Sequence, residues 1–192
     1  MPFQFTSSQI IVAAVALFLV VAIAVGVYLK HRKTRTLAFR NRFGTEYDRA
    51  VLTHGSPQKA EAKLASRETR VEALNIRDLG ATERERFAAE WQVVQSRFVD
   101  HPKAAVTEAD DLINALLLAR GYPQTGFEQR AADVSVTYPR VMENYRLANA
   151  IAIRPGRIEA TTEELRTAMI QYRAIFDELL QVQKPSAARS AA

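Results

Sequence analysis

The chain of 192 residues contains no cysteine. Disulfide frameworks, cysteine zinc sites and thiol catalysis are therefore excluded, because each of them requires a sulfur atom. Histidine is also scarce, with three residues, and none lies at metal-ligand spacing from another histidine or a glutamate. The seven glycines form no loop of the kind that cradles phosphate ahead of a helix. The sequence predicts no catalytic centre, no metal site and no bound cofactor.

One aspartate-rich string, Asp110-Asp111 followed by Asn114, resembles a metal-diphosphate motif of all-helical terpene synthases. That chemistry needs a second metal motif and a large apolar cavity, which usually takes a much longer chain. The two acids are instead expected on the solvated edge of a central helix.

Charge of either sign is absent from residues 1–29. Ile10 to Leu29 form an apolar run of 20 residues without an amide side chain. In a helix with a rise of about 1.5 Å per residue, such a run spans roughly 30 Å, the thickness of membrane hydrocarbon. The run predicts a single transmembrane helix over 10–29, behind a short segment, 1–9. A cleaved signal peptide is the alternative, because Ala22-Ile23-Ala24 resembles a cleavage site, although no basic segment precedes it.

Basic residues cluster directly after this run. Residues 30–42 hold six of them and no acid: Lys30, Arg32, Lys33, Arg35, Arg40 and Arg42. Because basic flanks stay cytoplasmic, the pattern predicts an outside N-terminus and a cytoplasmic C-terminal domain at a bacterial inner membrane. An extracytoplasmic or secreted domain is the alternative. The six cations are candidate contacts for anionic lipid headgroups. The remaining chain holds 20 basic and 21 acidic groups, which argues against a nucleic-acid-binding face.

The rest of the chain shows no strand-like alternation, and its apolar residues recur at helical spacing. The pattern predicts an all-α soluble domain over 43–182, a bundle of four to five helices, followed by a disordered tail over 183–192. The most apolar helix, 102–120, is expected at the centre. Helical segments are predicted over 37–54, 57–75, 82 to about 100, 102–120, 127–133, 138–152 and 162–182.

Local signals mark several helix ends. Thr82 with Glu85, and Thr161 with Glu164, match the capping box, in which each residue satisfies the other's free backbone N–H. Gly121 is a natural stop, because glycine readily takes the left-handed conformation that ends helices.

Seven side chains are candidates for a partner or ligand surface: Trp91, Arg97, Arg120, Tyr122, Tyr138, Arg146 and Arg173. An arginine in a groove binds anionic groups or a partner's carboxylates. An arginine whose stem covers the bundle and whose head pairs with a nearby acid has a structural role instead, and we favour that role for the four arginines. Core packing is favoured for Trp91. The two Tyr–Pro turns are expected to be more open and to offer a partner surface.

Several strings occur together in this chain: Tyr47 to Val51, Phe87 to Asp100, Arg120 to Pro123, and the helix from Thr162 to Leu180. In combination they resemble an uncharacterised family of small bacterial membrane-anchored proteins. The resemblance covers roughly residues 40–182. It implies a bacterial origin and an anchor followed by a helical domain, and it implies no activity and no functional residues.

Two functional hypotheses follow. The first is a membrane-tethered helical interaction or scaffold module without catalysis, which acts through a protein partner or by self-association. A tether raises the effective concentration of such a domain near membrane partners. The alternative is a small-ligand-binding protein or enzyme, with a site between bundle helices that uses arginine and carboxylate side chains.

Overall fold

The computed structural model describes the backbone of residues 7–153 and 160–181, and side chains from residue 16 onward within them. These residues form eight α-helices, one short 3-10 turn and no strand, so the all-α prediction is confirmed. The described chain divides after Arg42 into two compact units. The predicted tail over 183–192 lies outside the described residues.

The described part of the first unit is one long helix, α1, which runs Ser7–Phe43 and whose last residue already belongs to the second unit. Its apolar side chains from Leu17 to Leu29 are largely exposed, as are the six cations that follow them. Among the residues whose side chains the structure describes, no helix offers a stretch both long enough and apolar enough to span a bilayer. These residues therefore do not support the predicted span over 10–29, of which the first six residues lie outside them.

The second unit begins with a helical hairpin of α2 (Thr45–His54) and α3 (Pro57–Glu72). The sequence predicted one helix over 37–54, and this is wrong at Gly44, where a positive φ of 53° separates α1 from α2. A second glycine with positive φ ends α2, and the Ser56 side chain caps α3. The buried apolar residues of the hairpin, together with Phe43 just before it, are Phe43, Tyr47, Ala50, Ala60, Leu64 and Val71.

Five further helices surround the main core. They are α4 (Ala81–Arg97), α5 (Pro102–Ala119), α6 (Phe127–Thr137), α7 (Met142–Ala152) and α8 (Thr162–Leu180), with the 3-10 turn Pro139–Val141 ahead of α7. The central position predicted for α5 is confirmed, because it packs against α4, α7 and α8. The hairpin packs on α6 and α7. The described second unit thus has seven α-helices, not four to five, because the hairpin adds two to the five that line the core.

The cap predicted for α8 is confirmed. The Thr161 backbone N–H donates to Glu164 Oε2 over 2.8 Å, and the Glu164 N–H donates to Thr161 Oγ1 over 3.3 Å. The cap predicted for α4 is wrong, because the N-cap is Gly80, two residues before Thr82, and Glu83 instead of Glu85 accepts from the N-cap N–H over 2.9 Å. Arg77 also donates two hydrogen bonds to Glu83, and together these bonds lower the pKa of Glu83 to about 2.

Candidate functional site

Trp91 and Arg173 come together where α4 meets α8. The Trp91 ring stacks on Phe176 with the ring centroids 4.6 Å apart, and the Arg173 guanidinium carbon lies 5.6 Å from the Trp91 ring. A groove of about 360 Å³ lies beside these side chains. Its lining consists of Trp91, Gln95, Phe98, Arg166, Met169, Ile170 and Arg173.

The groove combines an apolar surface with positive charge. Ile170 is 61% exposed, whereas Trp91 is only 1% exposed. The two lining arginines are both partly exposed, and no lining residue is acidic. Arg166 pairs with Glu163 and Arg173 with Asp177, each one turn away on α8. Such exposed pairs within a helix contribute only a few tenths of a kcal/mol, roughly, so carboxylates of a binding partner can replace them.

Arg120, Tyr122 and Tyr138 lie at a different place, near the C-terminal end of α5. Both tyrosines are buried, and burial raises the pKa of each. The Tyr122 hydroxyl lies 3.3 Å from Thr137 Oγ1, and the Tyr138 ring lies 5.6 Å from the Arg120 guanidinium carbon. The Tyr–Pro turns, which the sequence suggested as an open partner surface, therefore place both rings inside the bundle.

The remaining two candidate arginines pair with acids of neighbouring helices. Arg97 donates to Glu108 over 2.7 Å and is largely exposed. Arg146 of α7 is mostly buried and donates to both oxygens of Glu46 in α2, over 2.9 and 3.3 Å, and to Glu128 over 3.2 Å. Arg146 therefore joins the hairpin to the bundle, and neither residue lines the α4–α8 groove.

Asp110 and Asn114 of the α5 aspartate motif are part of a polar cluster inside the bundle. Asp110 accepts a hydrogen bond from Asn114 over 3.2 Å and lies 3.9 Å from the Arg130 guanidinium. Arg130 in turn donates to the Tyr145 hydroxyl over 2.7 Å. Asp110 is half-buried, so the expected solvated edge is wrong for this residue, whereas Asp111 is exposed as expected. Within the described part of the chain, no group of three or more histidine, aspartate or glutamate side chains could hold a metal ion.

A second cleft lies between α3 and α6, and none of its lining residues is among the seven candidates predicted from the sequence. Its lining is Lys63, Ser66, Arg67, Arg70, Glu128, Gln129 and Ala132. A signal was present in the sequence, because Arg67 interrupts the apolar stripe of the segment that became α3. The residues missed in the α4–α8 groove, such as Gln95 and Ile170, carry no comparable signal.

The chain matches no protein-family model, no curated protein and no solved structure. The family resemblance seen in the sequence therefore stays a prediction.

Proposed function

We propose that this protein is a membrane-tethered interaction module whose α4–α8 groove binds an acidic amphipathic helix of a protein partner. The observation that carries the proposal is an apolar groove, with Trp91 and exposed Ile170 in its lining, that contains two arginines and no acid. An amphipathic helix presents apolar residues along one stripe and binds grooves of this kind. Glutamates beside that stripe would pair with Arg166 and Arg173.

The tether in this proposal is the apolar run over residues 10–29. Two observations support it: the exposure of the apolar side chains from Leu17 to Leu29, and the six exposed cations that follow. The cations would bind anionic headgroups at the cytoplasmic face of a bacterial inner membrane. The helical domain would then be cytoplasmic and held close to partners in that membrane.

The tether is tested by adding a C-terminal tag and treating intact and permeabilised spheroplasts, from which the outer membrane barrier has been removed, with protease. We expect a full-length, membrane-bound chain whose tag is digested only after permeabilisation, because the basic flank keeps the domain inside. A tag that is digested in intact spheroplasts, or a mature chain that begins after Ala24, would contradict the cytoplasmic tether.

The groove is tested through Trp91, the only tryptophan of the chain. A helical peptide of about four turns with leucines at i, i+4 and i+7 and glutamates elsewhere is titrated into the full-length protein in mild detergent. Because the peptide contains no tryptophan, any change in emission reports on Trp91. We expect saturable binding, weakened about tenfold or more by Ile170→Glu, since a buried isoleucine contributes about 1.5–3 kcal/mol.

Two controls make this result specific to the groove. Leu52 in α2 is 85% exposed and does not line the groove, so Leu52→Glu makes the same chemical change elsewhere and should leave the affinity unchanged. A peptide with lysines in place of the glutamates should bind more weakly, because Arg166 and Arg173 would repel it. Equal affinities for both peptides, or equal effects of both substitutions, would contradict the proposal.

The enzyme alternative receives less support from the polar cluster of Asp110, Arg130 and Tyr145. Tyr145 is completely buried, and burial raises its pKa to about 12. A hydroxyl with that pKa stays protonated at neutral pH and is a poor general base there. The hydrogen bond from Arg130 instead gives Tyr145 a role in holding α6 against α7.

A further inference from the structure

The cleft between α3 and α6 has the chemistry of an anion site. It has a volume of about 370 Å³, within the usual range for small-molecule sites. Its lining includes three cations, a serine hydroxyl and a glutamine amide, against a single acid, Glu128. The positive charge, together with these hydrogen-bond donors, favours an oxyanion.

Arg67 is the unusual member of this lining. It interrupts the stripe of α3 that otherwise buries Ala60, Leu64 and Val71, and its side chain is only 16% exposed. Burial lowers the pKa of Arg67, despite the nearby carboxylate of Glu46. Arg67 Nη1 lies 3.8 Å from Glu46 Oε2, beyond hydrogen-bond distance. Its Nε and Nη1 atoms have no hydrogen-bond partner among the described residues.

The acids near Arg67 are already bound to other cations. Both oxygens of Glu46 accept hydrogen bonds from Arg146, and Glu128 accepts a third hydrogen bond from the same arginine. Asp133 is buried and pairs with Arg70. Arg67 therefore shares Glu46 with Arg146, and its own ion pair to that carboxylate, at 3.8 Å, includes no hydrogen bond.

Lys63 and Ser66 add donors to the cleft. Neither side chain forms a hydrogen bond or ion pair within the described ranges 7–153 and 160–181, and both are exposed. Gln129 donates its amide to Asp133 over 3.1 Å, which leaves its amide oxygen as an acceptor. The cleft therefore offers donors for an oxyanion, and acceptors at Gln129 and Glu128 for the hydroxyls of a larger ligand.

We propose that the α3–α6 cleft binds a phosphate monoester, with Arg67, Lys63 and Ser66 holding the phosphoryl oxygens. Arginine and lysine are the usual phosphate ligands in proteins, and charge-assisted hydrogen bonds to phosphate are among the strongest available. The cleft is larger than a phosphate ion, so the phosphoryl group is carried by a polar body that Gln129 and Glu128 contact. This site is separate from the α4–α8 groove, and it does not depend on the function proposed for that groove.

The test is calorimetric titration of the full-length protein in mild detergent with three probes: inorganic phosphate, glycerol 3-phosphate and a short-chain phosphatidic acid below its micellar concentration. We expect binding of a phosphoryl probe, weakened about tenfold or more by Arg67→Met and severalfold by Lys63→Gln. Tight binding of glycerol 3-phosphate identifies a free phosphorylated ligand. Binding of phosphatidic acid alone identifies a lipid headgroup. Either result supports the site.

Two controls distinguish a binding role from a structural one. Lys59→Gln removes the same charge from an exposed position of α3 outside the cleft, and it should leave the affinity unchanged. Arg67→Met should not lower the Tm, because Arg67 has buried nitrogens without hydrogen-bond partners and methionine suits an apolar stripe. The proposal is overturned by the absence of binding for all three probes, by equal effects of Lys63→Gln and Lys59→Gln, or by a lowered Tm in Arg67→Met with unchanged affinity.

Discussion

Replacing Arg120 with alanine is expected to lower the free energy of unfolding by about 3–5 kcal/mol, a large fraction of the stability of a domain this size. Arg120 is 2% exposed and is one of the largest completely buried side chains of the described chain. Truncation removes the hydrogen bonds that Arg120 donates to the Leu179 carbonyl and to Asp78, and it leaves a cavity in the core.

The size of this effect follows from what Arg120 joins. Its Nη1 donates to the Leu179 carbonyl at the end of α8 over 2.5 Å, and its Nη2 donates to Asp78 in the segment before α4 over 2.9 Å. The Arg120 carbonyl accepts from the Arg77 N–H over 2.9 Å. Three segments that are distant in sequence therefore meet at one residue.

The measurement is urea unfolding followed by circular dichroism and by Trp91 fluorescence. Arg97→Ala is the matched control, because Arg97 also pairs with an acid but is largely exposed, and its loss should cost less than about 1 kcal/mol. Asp78→Ala should fall between the two, since Arg120 keeps its bond to the Leu179 carbonyl. Similar stabilities of the Arg120→Ala and Arg97→Ala variants would show that the three-segment junction contributes little.

The helices were largely predictable from the sequence, because local chemistry decides them. The apolar stripe of α5, the reciprocal cap at Thr161 and Glu164, and the stop at Gly121 all depend on residues a few positions apart. The cap of α4 was predicted wrongly because two neighbouring glutamates can each take the capping position. Glu83 and Glu85 both lie in the first turns of α4, and Glu83, which caps the helix, is also the one that binds Arg77 from the preceding segment.

The sites were much less predictable, because periodicity shows which face of a helix is buried but not which helix covers it. The sequence selected Trp91 and Arg173 separately, and nothing in it placed them 5.6 Å apart. Tyr122 and Tyr138 were predicted in open turns because each precedes a proline. Their burial depends on tertiary contacts around the ends of α5 and α6, which the sequence does not show. Arg67 was the exception, because a charge within an apolar stripe is visible in the sequence.

The segment between α3 and α4 lies so close to Gly121 that a residue with a side chain does not fit at this position. Gly121 has a φ of +97°, which side-chain-bearing residues rarely adopt, and a Cβ there would lie 2.5 Å from the Asn75 carbonyl oxygen and 3.2 Å from its carbon. Both are backbone atoms, so the clash cannot be relieved by a change of rotamer. Gly121→Ala must therefore displace the segment between α3 and α4. The same segment contains Arg77, whose backbone N–H donates a hydrogen bond to the Arg120 carbonyl.

We expect Gly121→Ala to destabilise the protein by about 3 kcal/mol or more, from the combined costs of left-handed backbone and displaced contacts. Gly55 is the matched control. It also has a positive φ, of +76°, and ends a helix, but a Cβ there meets no atom within 4 Å. Gly55→Ala should therefore cost only about 1–2 kcal/mol, the conformational term alone.

The difference between the two alanine variants, measured by urea unfolding, isolates the close approach of the Asn75 backbone. If both variants lost the same stability, the contact between that segment and the end of α5 would be ruled out, because the conformational cost is common to both. If Gly121→Ala is the more destabilised, the loss should not add to that of Arg120→Ala in the double variant. Both substitutions disrupt the contacts between the end of α5 and the segment before α4. The contacts broken by one substitution cannot contribute a second loss of stability when the other is added.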